Sequence, residues 1–173
     1  VDAGVEIDPK TALLMCSAII SDTLIFRSPT CTEMDREAGK ALAKIAGINI
    51  KEHAHEMFFA GSNISEKTAK ELFTGDFKRF SIGDTTFGIG QVSCMDGEEL
   101  DQVKKKVMAY MKEQYKSLGV NMLYFMLTDI IKPGTELLCV GDGAMELVER
   151  AFGVQGVDDV VNLPGVVSRK KQV

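Results

Sequence analysis

The sequence predicts an α/β protein in two pieces: a helical segment to about residue 61 and an α/β lobe from about residue 68 onward. Three observations predict it. Apolar residues recur at helical spacing before Gly61, alternate with polar ones between 76 and 94, and dominate a run over 120–128 interrupted only by Asn121 before its closing Thr128. The boundaries read from this pattern are a first piece over 1–61, a linker or hinge over 62–67, and a second lobe over 68–173.

Each element has a local reason. Asp8-Pro9 pairs an N-cap acceptor with a proline at the first helical position. The helix it opens runs through Leu13, Leu14, Ser17 and Ala18 to about Ser21, and its nearly apolar circumference predicts deep burial. Thr32 and Asp35 have the spacing of a capping box, opening a second helix with Ala38, Leu42, Ile45 and Ala46 on one face and Gly47 as its C-cap. A third helix over 51–60 turns Ala54, Met57 and Phe58 inward. Ser62-Asn63 marks the linker, and Ser65 is expected to cap a short helix over 66–73. Gly83-Asp84 separates the strands of a hairpin, 77–82 with 86–93. Asp96 is expected to cap a long helix with the stripe Leu100, Val103, Val107, Met111, Tyr115 and Leu118, stopped by Gly119. The run 120–128 is a central strand, 135–140 another, 144–152 a short helix, and 165–167 an edge strand leading into Ser168-Arg169-Lys170-Lys171-Gln172.

Composition narrows the function classes. The 173 residues are 45% hydrophobic and 26% charged, ordinary values for a folded chain. A net charge of -5 argues against a general nucleic-acid binder, so the cations that matter are local. The four cysteines, Cys16, Cys31, Cys94 and Cys139, form no C-x-x-C pair, which disfavours a zinc site or a disulfide framework and suits reduced thiols in the cytoplasm. No apolar run has the length of a membrane span. Val1 in place of an initiator Met, and a basic cluster at the other end, read as a piece of a longer chain.

Few residues can carry chemistry. Asp22, between Ser21 and Thr23 and beside apolar neighbours, is either a turn cap or a metal ligand, because a carboxylate in such surroundings needs a partner. Arg169, Lys170 and Lys171 are either a solvated tail or a grip for a small, highly charged oxyanion, Arg offering a planar fork and Lys a point charge. As extensions of a strand they would alternate faces. Lys78, with Phe77 and Phe80 around it and Arg79 on the opposite face, reads as an ordinary exposed strand lysine. His53 and His55, two apart on a helix, share no face and read as surface histidines. Asp129 and Gly141-Asp142-Gly143 follow strands and read as turns.

Ser17-Ala18-Ile19-Ile20-Ser21-Asp22-Thr23, Phe26-Arg27-Ser28-Pro29-Thr30-Cys31-Thr32 and Ser168-Arg169-Lys170-Lys171-Gln172 closely resemble the family II inorganic pyrophosphatases of the DHH phosphoesterase superfamily. The likeness is colinear from about Leu13 to Val173. It implies that the first piece is the C-terminal end of the metal-binding DHH lobe, mainly helical here. The second would then be the smaller DHH-associated substrate-binding domain, with a mixed sheet. By the same resemblance Asp22 is a metal ligand, Lys78, Arg169 and Lys170 bind substrate, and Lys171 supports them electrostatically. The implied reaction is two-metal hydrolysis of pyrophosphate with manganese, cobalt or magnesium, in a cytoplasmic homodimer without nucleic-acid or membrane partners. The chain carries no His-x-x-x-Asp-x-Asp and no Asp-His-His, so no catalytic residue of that set beyond Asp22 is present and the chain alone is expected to be inactive. A DHH phosphoesterase acting on polyphosphate or oligonucleotides, and a non-catalytic phosphate-binding module, are the alternative readings.

Overall fold

In the computed structural model, residues 4–61, 64, 66–94 and 97–173 are described. The chain divides into two compact units, Val1–Gly61 and Ser62–Val173. The expected caps Ser65 and Asp96, and the linker pair Ser62-Asn63, lie outside the described residues.

The first unit holds α1 (Pro9–Asp22), α2 (Glu33–Ala46) and α3 (Ile50–Gly61). Asp8 caps α1, its carboxylate accepting from the Lys10 and Thr11 backbone N–H. Thr32 and Asp35 form the expected capping box on α2, and Gly47 closes it in the left-handed conformation. The core joins Ala12, Cys16 and Ile20 of α1 to Leu42 and Ala43 of α2 and Ala54 of α3. Two expectations change. Helix α1 is not buried all round, since Leu14 is 71% exposed and Met15 45%. The buried stripe of α2 is Gly39, Leu42 and Ala43, while Ile45 faces outward. Gly39 sets that phase: a Cβ there would stand 2.7 Å from the Phe26 ring, so the aromatic occupies the space a side chain would need.

The second unit is a five-stranded mixed sheet in the order β1-β2-β3-β4-β5, with β1 (Phe77–Ile82), β2 (Thr85–Cys94), β3 (Met122–Asp129), β4 (Gly134–Val140) and β5 (Val160–Pro164). Among these strands β2 and β3 pair in parallel and the other neighbours antiparallel. The parallel pair needs a crossover, and α5 (Gly97–Gln114) supplies it. Side chains of β3 alternate between two cores. Leu123, Phe125 and Leu127 pack with α5 and with α4 (Ala69–Gly75) through Phe73, Val103, Val107 and Met111. Tyr124 and Met126 pack on the other face with Ile89, Leu137, Val161 and α6 (Ala144–Phe152). Gly90 allows α4 to dock, because a Cβ there would meet the Phe125 ring at 2.5 Å and the Phe73 carbonyl at 3.2 Å.

Three further expectations are corrected in this unit. The long helix ends at Gln114 rather than Leu118, residues 115–119 forming turns in which the Leu118 N–H donates to the Gln114 carbonyl. The short helix starts later than residue 66: Thr68 is its N-cap and forms a capping box with Glu71. The last strand lies at 160–164 rather than 165–167, and the basic pentapeptide forms a helical turn, α7 (Arg169–Gln172). Gly165, at φ +77°, turns the chain out of the sheet, and its N–H donates to the Pro133 carbonyl, so no strand continues there. All four cysteines are thiols rather than disulfides. No helix among the described residues is long and apolar enough to cross a membrane.

Candidate functional site

The sheet register relates two of the cationic residues, Lys78 and Arg169. Lys78 of β1 lies directly opposite Ile89 of β2, and opposed residues of an antiparallel pair share a face. Ile89 belongs to the core that includes Val166, on the segment entering α7. Lys78 therefore stands, exposed, on the sheet face that receives the C-terminal basic turn. Arg79 opposes Gly88 and points to the other face.

The segment leading into α7 is fixed by buried polar groups. Thr135 Oγ1 donates to the Val166 carbonyl at 2.7 Å and pairs with Thr128 Oγ1 at 3.0 Å, both threonines being buried. Gln172 Oε1 accepts from the Val167 and Ser168 N–H at 3.0 and 3.1 Å, and its amide donates to the Gly165 carbonyl. Gln172 thus reaches back over its own turn and holds the start of the basic run.

Within α7 the cations separate. Arg169 is only 8% exposed. Its Nη1 donates to the Asp76 carbonyl at 2.7 Å and the Ile89 carbonyl at 3.1 Å, and its Nη2 to Asp76 Oδ1 at 2.7 Å. Lys170 and Lys171 are exposed. Helical rather than extended backbone puts successive side chains about 100° apart, so the three do not alternate across a sheet. Asp76 is a partner of Arg169 that residue-type reasoning missed, and Gln172, noted only as part of the basic motif, is what ties that turn down. The signal for Asp76 was its place two residues before Lys78, but which charge it meets depends on a partner 93 residues away.

In the first unit, Asp22 is the last residue of α1 and its side chain is exposed. The turn beyond it has an uncommon backbone: Leu24, Ile25 and Phe26 all have positive φ, at 48°, 57° and 63°. Three consecutive left-handed residues, one of them β-branched, cost about 1–2 kcal/mol each. Thr23, 2% exposed, organises the turn: its Oγ1 donates to the Ile19 carbonyl and accepts from the Phe26 N–H, and its carbonyl accepts from the Arg27 and Ser28 N–H. Arg36 completes it, donating to the Phe26 carbonyl at 2.8 Å with its guanidinium 5.8 Å from the centre of the Phe26 ring. Strain of this kind, held by its surroundings, is characteristic of functional sites.

The remaining candidates have structural roles. His53 is half-buried, with Nε2 2.7 Å from Ser17 Oγ, and is therefore not the surface histidine expected. His55 is exposed and stacks on Phe59. Asp129 accepts from the Ile131 and Lys132 N–H, closing its turn. Gly141 and Gly143 both take positive φ just before α6. Burial pushes the Cys139 thiol up to about 12 and raises Cys16 as well, so neither is a nucleophile near neutral pH. Among the described residues no group of three or more His, Cys, Asp or Glu could hold a metal ion. Asp22 alone does not make a metal site.

Comparison with known proteins assigns the second unit. The DHHA2 domain model matches residues 55–173. The chain belongs to the DHHA2 family. A Clostridium acetobutylicum protein named as a manganese-dependent inorganic pyrophosphatase is 47% identical over 172 residues, covering 99% of this chain and 55% of that protein. The cobalt-dependent inorganic pyrophosphatase of Clostridium perfringens is 44% identical, with 98% of this chain and 31% of that protein covered. A crystal structure of a Methanococcus jannaschii protein named as a family II inorganic pyrophosphatase superposes with a TM-score of 0.81 at 42% identity, covering 98% of this chain and 55% of that one. The DHHA2 chain thus spans about half the length of relatives such as the Clostridium acetobutylicum protein. The resemblance carried by the Asp22 and Arg169 motifs extends over nearly the whole chain.

Proposed function

We propose that this chain is the substrate-gripping part of a manganese- or cobalt-dependent inorganic pyrophosphatase, which hydrolyses pyrophosphate to two phosphates. The observation that carries the proposal is the approach of Arg169 to the backbone on either side of Lys78, through Asp76 and through Ile89, the residue opposite Lys78. Pyrophosphate is small and carries several negative charges, and its hydrolysis moves charge onto the leaving phosphate. Fixed cations that meet that charge lower the barrier without reorganising during the reaction. Lys78 and Lys170 supply mobile ammonium donors, Arg169 a pre-oriented guanidinium, and Lys171 a further positive charge nearby. Asp22 would be one metal ligand among several, the others coming from outside this chain. The same proposal makes the enzyme cytoplasmic, in keeping with its reduced thiols, and homodimeric.

The experiment is calorimetric titration of the chain with pyrophosphate, run beside a phosphate-release assay with manganese. The chain should bind pyrophosphate and release no phosphate. Arg169→Ala and Lys78→Ala should each weaken binding roughly tenfold or more, as expected for loss of a charge-assisted contact. Binding unchanged in both variants, or manganese-dependent turnover by the chain alone, would overturn the assignment.

A further inference from the structure

Asp76 joins the two cationic elements. It follows α4 directly, precedes β1, and lies two residues before Lys78. Its two acceptor groups both meet Arg169: the carbonyl, which also takes the Gln91 N–H at 3.2 Å and is thereby fixed to β2, takes Nη1, and the carboxylate takes Nη2, each at 2.7 Å. The Ile89 carbonyl takes Nη1 as well. A guanidinium has five N–H donors in a rigid plane. With both Nη1 hydrogens and one Nη2 hydrogen engaged, it can offer an incoming anion only the edge made by Nε and the second Nη2 hydrogen. The Asp76 side chain, 53% exposed, borders that edge, whereas Arg169 itself is buried.

We propose that Asp76 is a positioning residue for anion binding. It fixes the Arg169 plane so that the Nε–Nη2 edge meets the phosphate oxygens in a set relation to Lys78. Because its carboxylate also neutralises the guanidinium, the unbalanced positive charge of the site comes from Lys78 and Lys170, and Arg169 contributes direction. The inference rests on the reading of Arg169 and Lys78 as pyrophosphate ligands.

Two opposite effects make the role separable. If Asp76 were only a negative charge near an anion site, removing it would tighten binding. If it orients Arg169, removing it loosens binding, and a neutral side chain with a carbonyl oxygen in the same place restores it. The test is calorimetric titration with pyrophosphate of the chain and of Asp76→Ala, Asp76→Asn, Arg169→Ala and the Asp76→Ala/Arg169→Ala pair, each with a thermal melt. Asp76→Ala should weaken binding roughly tenfold, the scale of one lost charge-assisted hydrogen bond. Asp76→Asn should return to within about twofold, since its amide oxygen still accepts from Nη2. Adding Asp76→Ala to Arg169→Ala should not weaken binding further and should tighten it somewhat, because the carboxylate left without its guanidinium then only repels the anion; the opposite signs in the two backgrounds are the coupling. Asp76→Ser, which withdraws the acceptor from reach, carries the same test if Asp76→Ala does not fold. Tighter binding by Asp76→Ala, no rescue by Asp76→Asn, or a lower melting temperature at unchanged affinity would each overturn the proposal. Arg169→Ala binding like the parent chain would instead defeat the reading of Arg169 as a ligand, as would a parent chain that binds no pyrophosphate.

Discussion

Thr23 and Gly39 show how single residues set the geometry around Asp22. Thr23 holds a turn of three left-handed residues by serving both its own helix and the chain leaving it. Gly39 admits the Phe26 ring, on which the Arg36 guanidinium rests. The ring has limited room to swing aside, because the Arg36 guanidinium lies 5.8 Å from its centre and the left-handed turn fixes the backbone that carries it. Gly39→Ala should therefore destabilise the first unit by about 1–3 kcal/mol, the usual scale of overpacking. Combining it with Phe26→Leu should recover part of the loss. Urea denaturation measures both, and an unchanged midpoint in the single variant would show that the ring yields freely.

Helix starts are the elements most openly written in the chain. Thr32 with Asp35 and Thr68 with Glu71 form reciprocal caps, each carboxylate accepting from the backbone N–H and the hydroxyl of its threonine. The backbone hydrogen bond foremost, and then the hydroxyl, hold both carboxyls below their ordinary range. A depressed pKa in the folded state gives stability that is complete above the unfolded value and disappears as pH falls through the folded one. For Glu71 the loss begins as pH drops below its ordinary 4.5. In Glu71→Gln the fall in stability between pH 5 and pH 3 should accordingly be shallower than in the parent chain, as read from urea midpoints. Equal slopes would mean that the cap contributes no pH dependence. The turn α7 is the opposite case, since it has no side-chain cap hydrogen bond at Ser168 and depends on Gln172 reaching back.

At the scale of the molecule, the second unit has cores on both faces of its sheet, one under α4 and α5 and one under α6. An independent core on each side is what a self-sufficient domain requires. Residues 62–173 expressed alone should fold cooperatively, with dispersed amide resonances and a single thermal transition. They should also bind pyrophosphate as the full chain does. A molten spectrum would contradict the first claim, and loss of binding in a folded unit would move part of the anion site elsewhere.

Much of this fold was legible because it rests on short-range chemistry. Asp8-Pro9, the Thr32 box and the Gly83 turn each act within a few residues, so the sequence by itself determined where those elements lie, whereas the α5 stripe gave the helix but not its end, which comes at Gln114 and not at Leu118. It also determined the chain's family, through the motifs around Asp22 and Arg169. The left-handed turn after Asp22 was not legible, since Leu24 and Ile25 ordinarily avoid positive φ and are held there by Thr23 in a local network that residue type alone does not signal. The basic pentapeptide read as a strand extension because nothing nearby in the chain announces the bonds that make it a turn. Tertiary structure alone decided which cation is buried and which are exposed. Arg169 could be buried only where carbonyls and a carboxylate already stood to take its hydrogens, and the sheet register brings Asp76 and Ile89 to that point from 93 and 80 residues away.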